Sequence, residues 1–243
     1  MENILMKNAV WNKEEMQEIR NVDRILPSQP FFSKMYKGND FFSDLQRVMF
    51  SMLPPEPKWD IELKPGLSYA CMGSEINTLR FYQFLIHLCG FKRVLELGTF
   101  IGVSAMYLAE AGAKVTTLEK GSEFWGIAQR NFKKNGFLKK IKCQHQDVLQ
   151  YLAKSQTKFD LIIIDAAKES YKELLELSLP RLAAGGIILV DDVFFQGDTL
   201  NVKPTSEKGA GVRKMLDYAA KLEGYEKVIL PLGNGLLMIK KKE

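Results

Sequence analysis

The chain has 243 residues, 46% of them apolar and 26% charged, with 34 Lys plus Arg against 29 Asp plus Glu and a formal charge of +5. These proportions are those of an ordinary globular protein and exclude disordered, collagen-like and low-complexity architectures. At this length, one core with an appended segment is expected rather than two equal domains. Cys71, Cys89 and Cys143 form no CxxC pair, so neither a disulfide framework nor a zinc site is expected, and a reducing, cytoplasmic setting fits. The apolar runs, such as those within 159–164 and 185–190, are far too short to span a bilayer. The N-terminus carries acids within its first turns and does not read as a secretion signal.

Residues 12–24 and 39–53 have helical apolar spacing, and Pro27, Pro30, Pro54, Pro55, Pro57 and Pro65 divide this region into irregular connections. Residues 1–72 are therefore expected to form a helical cover, with the main domain over 73–243. A helix over 74–89 is expected to open on Ser74 as its N-cap. From Lys92 the pattern alternates. Strands are expected at 93–97, 114–118, 141–145, 159–164 and 187–190, and helices at 102–111, 123–135, 147–153, 171–182 and 209–221. Gly185 and Gly186 are expected to close the fourth of these helices. The run 159–164, apolar but for Asp160, marks a strand buried on both faces. Residues 227–230 and 236–240, joined through Gly233-Asn234-Gly235, read as a hairpin. The reading is an α/β fold: a mainly parallel sheet flanked by helices, with an antiparallel C-terminal hairpin.

The first strand runs into Glu96-Leu97-Gly98-Thr99-Phe100-Ile101-Gly102-Val103-Ser104. Glycines between a first strand and a helix let the backbone approach a ligand. A dinucleotide fingerprint needs G-x-G-x-x-G, and here Phe100 and Val103 replace its second and third glycines, so a ligand with little or no phosphate fits better. Glu119 ends the second strand, where an acid can accept ribose hydroxyls. Asp147 follows the third, where a carboxylate can accept an adenine amino group. Either acid alone is equally a surface group or a helix cap. Three such features at successive strand ends describe a nucleoside site along the carboxyl edge of an open sheet.

ELGTFIGVSA, TLEK, QDVLQYL, FDLIIIDAAK, GGIILVDDVFFQG and LPLGNGL occur in that order. Over roughly residue 72 to the C-terminus, the chain resembles the cation-dependent class I S-adenosylmethionine O-methyltransferases of the catechol and caffeoyl-CoA branch. The resemblance implies a Rossmann-like, seven-stranded methyltransferase fold, S-adenosylmethionine as methyl donor, and a homodimer. It places Met72 and Gly73 in a cofactor-covering loop and gives cofactor contacts to Glu96, Gly98, Thr99, Phe100, Ser104, Glu119, Asp147 and Asp165. Ser104 is expected at the methionine carboxylate, and Trp125 is a weaker candidate to flank the adenine.

Asp165 ends the fourth strand, and Asp191 and Asp192 end the fifth. Three converging carboxylates repel unless a charge neutralises them. An all-oxygen set suits Mg²⁺ first, then Mn²⁺ or Ca²⁺. The resemblance assigns these three residues to the metal, although the family usually carries Asn where Asp192 stands. It also makes Lys168 the general base, with its pKa expected to fall beside the cation. Acceptor contacts are expected from the cover, with Tyr36, Trp59 and Tyr69 as candidates, and from the long 194–207 loop with Phe194 and Phe195. The acceptor expected first is a small catechol-like or phenolic hydroxyl compound. A tRNA 5-hydroxyuridine is the alternative, which the lysines at 133, 134, 139, 140, 142 and 240–242 would serve. A nucleoside-binding scaffold without turnover is disfavoured by the 165–168 and 191–192 set, and a dehydrogenase by the glycine pattern.

Overall fold

The computed structural model describes residues 48, 51–64 and 73–242. Met72, Tyr36, Tyr69, Cys71 and the expected helix over 12–24 lie outside the described residues. The chain divides into two units at Glu56 and Pro57, and the second of them carries the sheet.

Strands β1 (Arg93–Leu97), β2 (Lys114–Glu119), β3 (Ile141–His145), β4 (Phe159–Ile164), β5 (Leu182–Val190), β6 (Tyr225–Leu230) and β7 (Leu236–Lys241) form a seven-stranded sheet in the order β3-β2-β1-β4-β5-β7-β6. β1 to β5 pair in parallel, and β7 runs antiparallel to both β5 and β6. The α-helices of the unit that carries the sheet are α1 (Ile76–Cys89), α2 (Val103–Glu110), α3 (Ser122–Lys134), α4 (Val148–Lys154), α5 (Tyr171–Ser178) and α6 (Glu207–Ala220), among the described residues.

The period-two alternation of strand side chains divides the core into two halves. Val94, Leu161, Ile163 and Leu189 face one side, where Leu79 and Tyr82 of α1, Met106 and Leu108 of α2, and Phe132 of α3 pack on them. Leu95, Leu97, Ile162, Ile164 and Val190 face the other, against Leu152 of α4, Leu174 of α5 and Met215 of α6. The central strands are thus apolar on both faces, as buried parallel strands require.

Pro57–Lys64 is held against the sheet unit. Trp59 packs edge-on to Tyr107 and Phe137, with ring centroids 4.9 and 5.5 Å away. The amide of Asn131 receives the Glu62 N–H at 2.7 Å and returns a hydrogen bond to the Glu62 carbonyl at 3.1 Å. Trp59, a candidate acceptor contact, is therefore engaged in core packing.

Two local expectations are corrected. Glu75, not Ser74, stands at the N-cap of α1, without a side-chain cap bond, and the Ser74 hydroxyl lies 3.5 Å from Asp191 Oδ2. Gly185 and Gly186 do not close a helix. α5 ends at Ser178, a 3₁₀ turn follows over Leu179–Arg181, and β5 begins at Leu182. The register between β4 and β5 shifts there, from Phe159 opposite Leu182 to Leu161 opposite Ile187. The glycines sit in that irregularity: Gly185 has φ +72, and a Cβ on Gly186 would stand 2.8 Å from the Asp160 carbonyl oxygen.

The sheet reverses its order of growth between β1 and β4. In open α/β sheets, the crevice beyond the carboxyl ends of the strands at such a point is where ligands bind.

Candidate active site

The loop after β1 lies directly beside the end of β4. The Gly98 N–H donates to Leu118 O at 3.1 Å, and the Asp165 N–H donates to Leu97 O at 3.0 Å. Gly98 has φ +102, and a Cβ there would run into the Asp165 carbonyl oxygen. Glycine is required on both counts, backbone conformation and close approach. Phe100 also has positive φ, at 51. Its N–H donates to Glu119 Oε2 at 3.1 Å, while the Gly121 N–H donates to Oε1 at 2.8 Å. The two amides fix the Glu119 carboxylate at the end of β2. Each oxygen has a second lone pair, so a vicinal diol can still be accepted.

Asp147 caps α4: its Oδ1 accepts from Leu149 N at 2.9 Å and Gln150 N at 3.1 Å. Capping and ligand binding are not exclusive, because both cap bonds fall on one oxygen. Trp125 lies stacked on His145, with ring centroids 5.4 Å apart.

Glu96 and Thr99 lie beneath the loop, each 2% exposed. The Thr117 hydroxyl stands 2.6 Å from Glu96 Oε2 and 2.6 Å from the Thr99 hydroxyl. Ser104, at the start of α2, lies near enough to the same carboxyl to oppose its rise in pKa. Burial pushes the Glu96 carboxyl up to about 7, against the opposing hydrogen bonds of Ser104 and Thr117. An acid whose folded pKa lies above its unfolded value binds more protons when folded, so its contribution to stability falls as pH rises from 4.5 through about 7. Glu96→Gln keeps an acceptor for Thr117 and removes this titration. The variant is expected to lose about 1–3 kcal/mol less than the parent on going from about pH 5 to about pH 8. Urea unfolding at the two pH values checks this, and equal losses would contradict it.

The acids converge as β4 and β5 pairing requires. Asp191 continues the ladder, its N–H donating to Ile164 O at 3.0 Å. It is 5% exposed. Its Oδ1 accepts from Asp192 N at 2.8 Å, and its Oδ2 from the Tyr82 hydroxyl at 3.1 Å. Asp192 has φ +60, a conformation that Asp and Asn tolerate better than other side chains. Lys168 Nζ lies 2.7 Å from Asp165 Oδ1 and 2.7 Å from Asp192 Oδ2. Its ammonium also sits over the Tyr171 ring, 5.0 Å from the centroid.

Burial disfavours the Lys168 ammonium, but Asp165, Tyr171 and Asp192 outweigh it and hold the group above its ordinary value. These neighbours of Lys168 are acids; the expected fall belongs to the site with its cation bound. Burial raises the Asp191 carboxyl as well, and the charges of Asp165 and Asp192 raise it further. Among the described residues, no set of three or more His, Cys, Asp or Glu side chains is drawn together as a metal cage. The donor set is nonetheless hard and anionic. Asp165, Asp191, Asp192 and Lys168 sum to −3 + 1 = −2 when all are ionised. The unrelieved repulsion on Asp191 is what a divalent cation would remove.

Several contributors gave no signal in the sequence. Tyr82 sits on the apolar face of α1 and reads as core. Thr117 reads as an ordinary strand residue. Asp198 organises the loop after β5, its carboxylate accepting from Thr205 N at 2.8 Å, Thr205 Oγ1 at 2.9 Å and Ser206 Oγ at 2.7 Å. These hydrogen bonds, led by that from the Ser206 hydroxyl, hold its carboxyl below the ordinary range. Phe194 packs against the hairpin, and a Cβ on Gly235 would stand 2.6 Å from its ring. α6 presses on the Lys168 turn: a Cβ on Gly211 would lie 2.5 Å from the Lys168 carbonyl oxygen.

Comparison with known proteins gives a family match and relatives of the same kind. The O-methyltransferase family profile matches residues 64–242. A catechol O-methyltransferase from Niastella koreensis is 31% identical over 145 residues, covering 57% of this chain and 66% of that protein. The O-methyltransferase ankF of Aspergillus thermomutatus is 34% identical over 170 residues, covering 62% of this chain and 71% of that one. An S-adenosylhomocysteine-bound methyltransferase from Podospora anserina superposes with a TM-score of 0.71 at 22% identity, over 86% of this chain and 98% of that one.

Proposed function

The chain belongs to the O-methyltransferase family, and from that premise we propose that it moves the methyl group of S-adenosylmethionine to a hydroxyl of a small catechol-like or phenolic acceptor, with a divalent cation, Mg²⁺ first, at Asp165, Asp191 and Asp192. The observation that carries this reading is the meeting of Lys168 with Asp165 and Asp192 at 2.7 Å. Donor binding alone needs neither a buried lysine nor three acids at the strand ends.

Glu119 accepts the ribose hydroxyls, and Asp147 accepts the adenine amino group through its second oxygen. Gly98 and Thr99 pass close beneath the donor, and Phe100 closes over it from the loop. Gly73 belongs to the covering loop. Bound by the three carboxylates, the cation supplies positive charge that stabilises an oxygen anion. With the cation's charge beside it, Lys168 would give its own proton to solvent, and the neutral amine would then take the acceptor's hydroxyl proton at Nζ. The oxygen then bonds to the methyl carbon as the sulfur–carbon bond breaks, leaving S-adenosylhomocysteine and a methyl ether. Holding oxygen and methyl in line supplies much of the rate.

The phenolic reading is favoured over tRNA by the surface lysines. Lys134 pairs with Asp60 at 3.5 Å, and Lys140 donates to the Ala109 carbonyl at 3.2 Å, so part of that cluster is engaged within the protein. Among the described residues, no helix is long and apolar enough to cross a membrane. The homodimer implied by the resemblance is checked by light scattering.

The test of the acceptor is transfer of labelled methyl to a panel of catechols, single phenols and tRNA lacking the wobble modification. Catechols labelled well above single phenols is the expected result. Labelling of tRNA alone would replace the phenolic reading.

A further inference from the structure

Asp192 stands where the resembling family usually has Asn, and the structure gives that extra charge a partner. Lys168 Nζ is held at 2.7 Å by both Asp165 and Asp192. With an amide at position 192 the ammonium would keep one anionic partner, and here it has two. The lysine is 9% exposed and starts a 3₁₀ turn, Lys168–Ser170, against which α6 packs at Gly211. The ammonium is therefore pinned from its backbone as well as from its head. Asp191 stands outside this clamp, its oxygens facing Tyr82 and the Asp192 N–H.

Resting on the reading above, we propose that Lys168 is a built-in competitor of the divalent cation: its ammonium occupies Asp165 and Asp192 until the cation takes them, and its arrival releases the lysine. The ammonium is bonded to Asp165 Oδ1 and Asp192 Oδ2, which belong to two of the three carboxylates that would hold the cation. A cation ligated by oxygen at roughly 2.0–2.6 Å stands within a few ångström of any ammonium bonded to those oxygens. Two positive charges at that spacing in a part-buried site repel strongly, so both cannot hold the same oxygens. Asp192 sets the strength of the competition, because it supplies the second anchor that an Asn lacks. The consequence for the reaction is order: Lys168 is free to meet the acceptor hydroxyl only once the cation is in place.

The test is binding of Mn²⁺ alone, followed by electron paramagnetic resonance, on the full chain and on Lys168→Gln and Lys168→Arg, without methyl donor or acceptor. Removing the competing charge in Lys168→Gln is expected to tighten Mn²⁺ binding by about tenfold or more. Lys168→Arg keeps the charge and is expected to stay within about threefold of the parent. Equal affinities for the parent and Lys168→Gln overturn the competition while leaving the metal reading standing. No Mn²⁺ bound by any of the three overturns both. A second readout uses the parent protein alone, in case a variant folds poorly. Amine-reactive labelling of Lys168, quantified by mass spectrometry, is expected to rise at saturating Mn²⁺. Unchanged labelling with the metal bound also overturns the proposal.

Discussion

Lys168→Ala is expected to lower methyl-transfer turnover by about 10²- to 10⁴-fold, the range typical of losing a positioned acid–base group. Affinity for S-adenosylhomocysteine is expected to stay within about threefold of the parent. The separation follows from position. Lys168 lies in the turn after β4 and faces Asp165 and Asp192 at 2.7 Å. The proposed donor contacts at Glu119 and Asp147 lie at the ends of β2 and β3, with their own backbone anchors. Single-turnover kinetics and calorimetry on the same preparation measure the two quantities. Retention of full turnover would remove Lys168 from the chemistry. A loss of S-adenosylhomocysteine binding equal to the loss of rate would make its role structural.

The second large effect is expected at Gly98. Gly98→Ala forces a Cβ into the Asp165 carbonyl oxygen at a backbone φ of +102. Left-handed backbone costs a non-glycine residue about 1–2 kcal/mol, and overpacking adds about 1–3 kcal/mol. Neither side of the contact moves freely, because Gly98 N and Asp165 N are both hydrogen-bonded across the sheet. A fall in Tm of roughly 5–15 °C is expected. The distorted loop should also weaken S-adenosylhomocysteine binding by about 100-fold or more, since it lies between Glu119 and Asp165. Gly112→Ala is the control: that residue has φ +96 but nothing within 4 Å of the added Cβ. It should show the conformational cost alone. Equal effects at the two positions would mean that close approach to Asp165 contributes nothing.

The sheet was legible because its central strands β1, β4 and β5 are short, largely apolar runs. β1, β3 and β4 fall where the pattern puts them, and β4 pairs with β5 as two neighbouring, largely apolar runs should. That pairing made the acidic site legible in turn, since Asp165 and Asp191 each follow such a run directly. The start of β5 was not legible. Gly185 and Gly186 look like a helix stop, and only the register shift against β4 shows that they lie within a strand. Ser74 looked like a cap, but its hydroxyl lies beside Asp191 instead, a partner 117 residues away.

Tyr82 was hidden for a related reason. One edge of its ring fills the core while its hydroxyl reaches Asp191, and periodicity reports only the first of these. Local pattern thus located the strand ends that hold the site. It did not identify which hydroxyls and amides hold those groups in place, because such partners come from distant segments. The pairing of Lys168 with Asp192 joins two loops 24 residues apart in sequence and emerges only when β4 and β5 lie side by side.

The most direct test of the account is methyl transfer by the unmodified protein from labelled S-adenosylmethionine to a catechol, run with Mg²⁺ and with EDTA. The account predicts a methyl ether and S-adenosylhomocysteine in equal amounts with Mg²⁺, and a loss of product with EDTA that added Mg²⁺ restores. Equal product under both conditions would contradict a cation at Asp165, Asp191 and Asp192, and no transfer under either would contradict the catechol as acceptor.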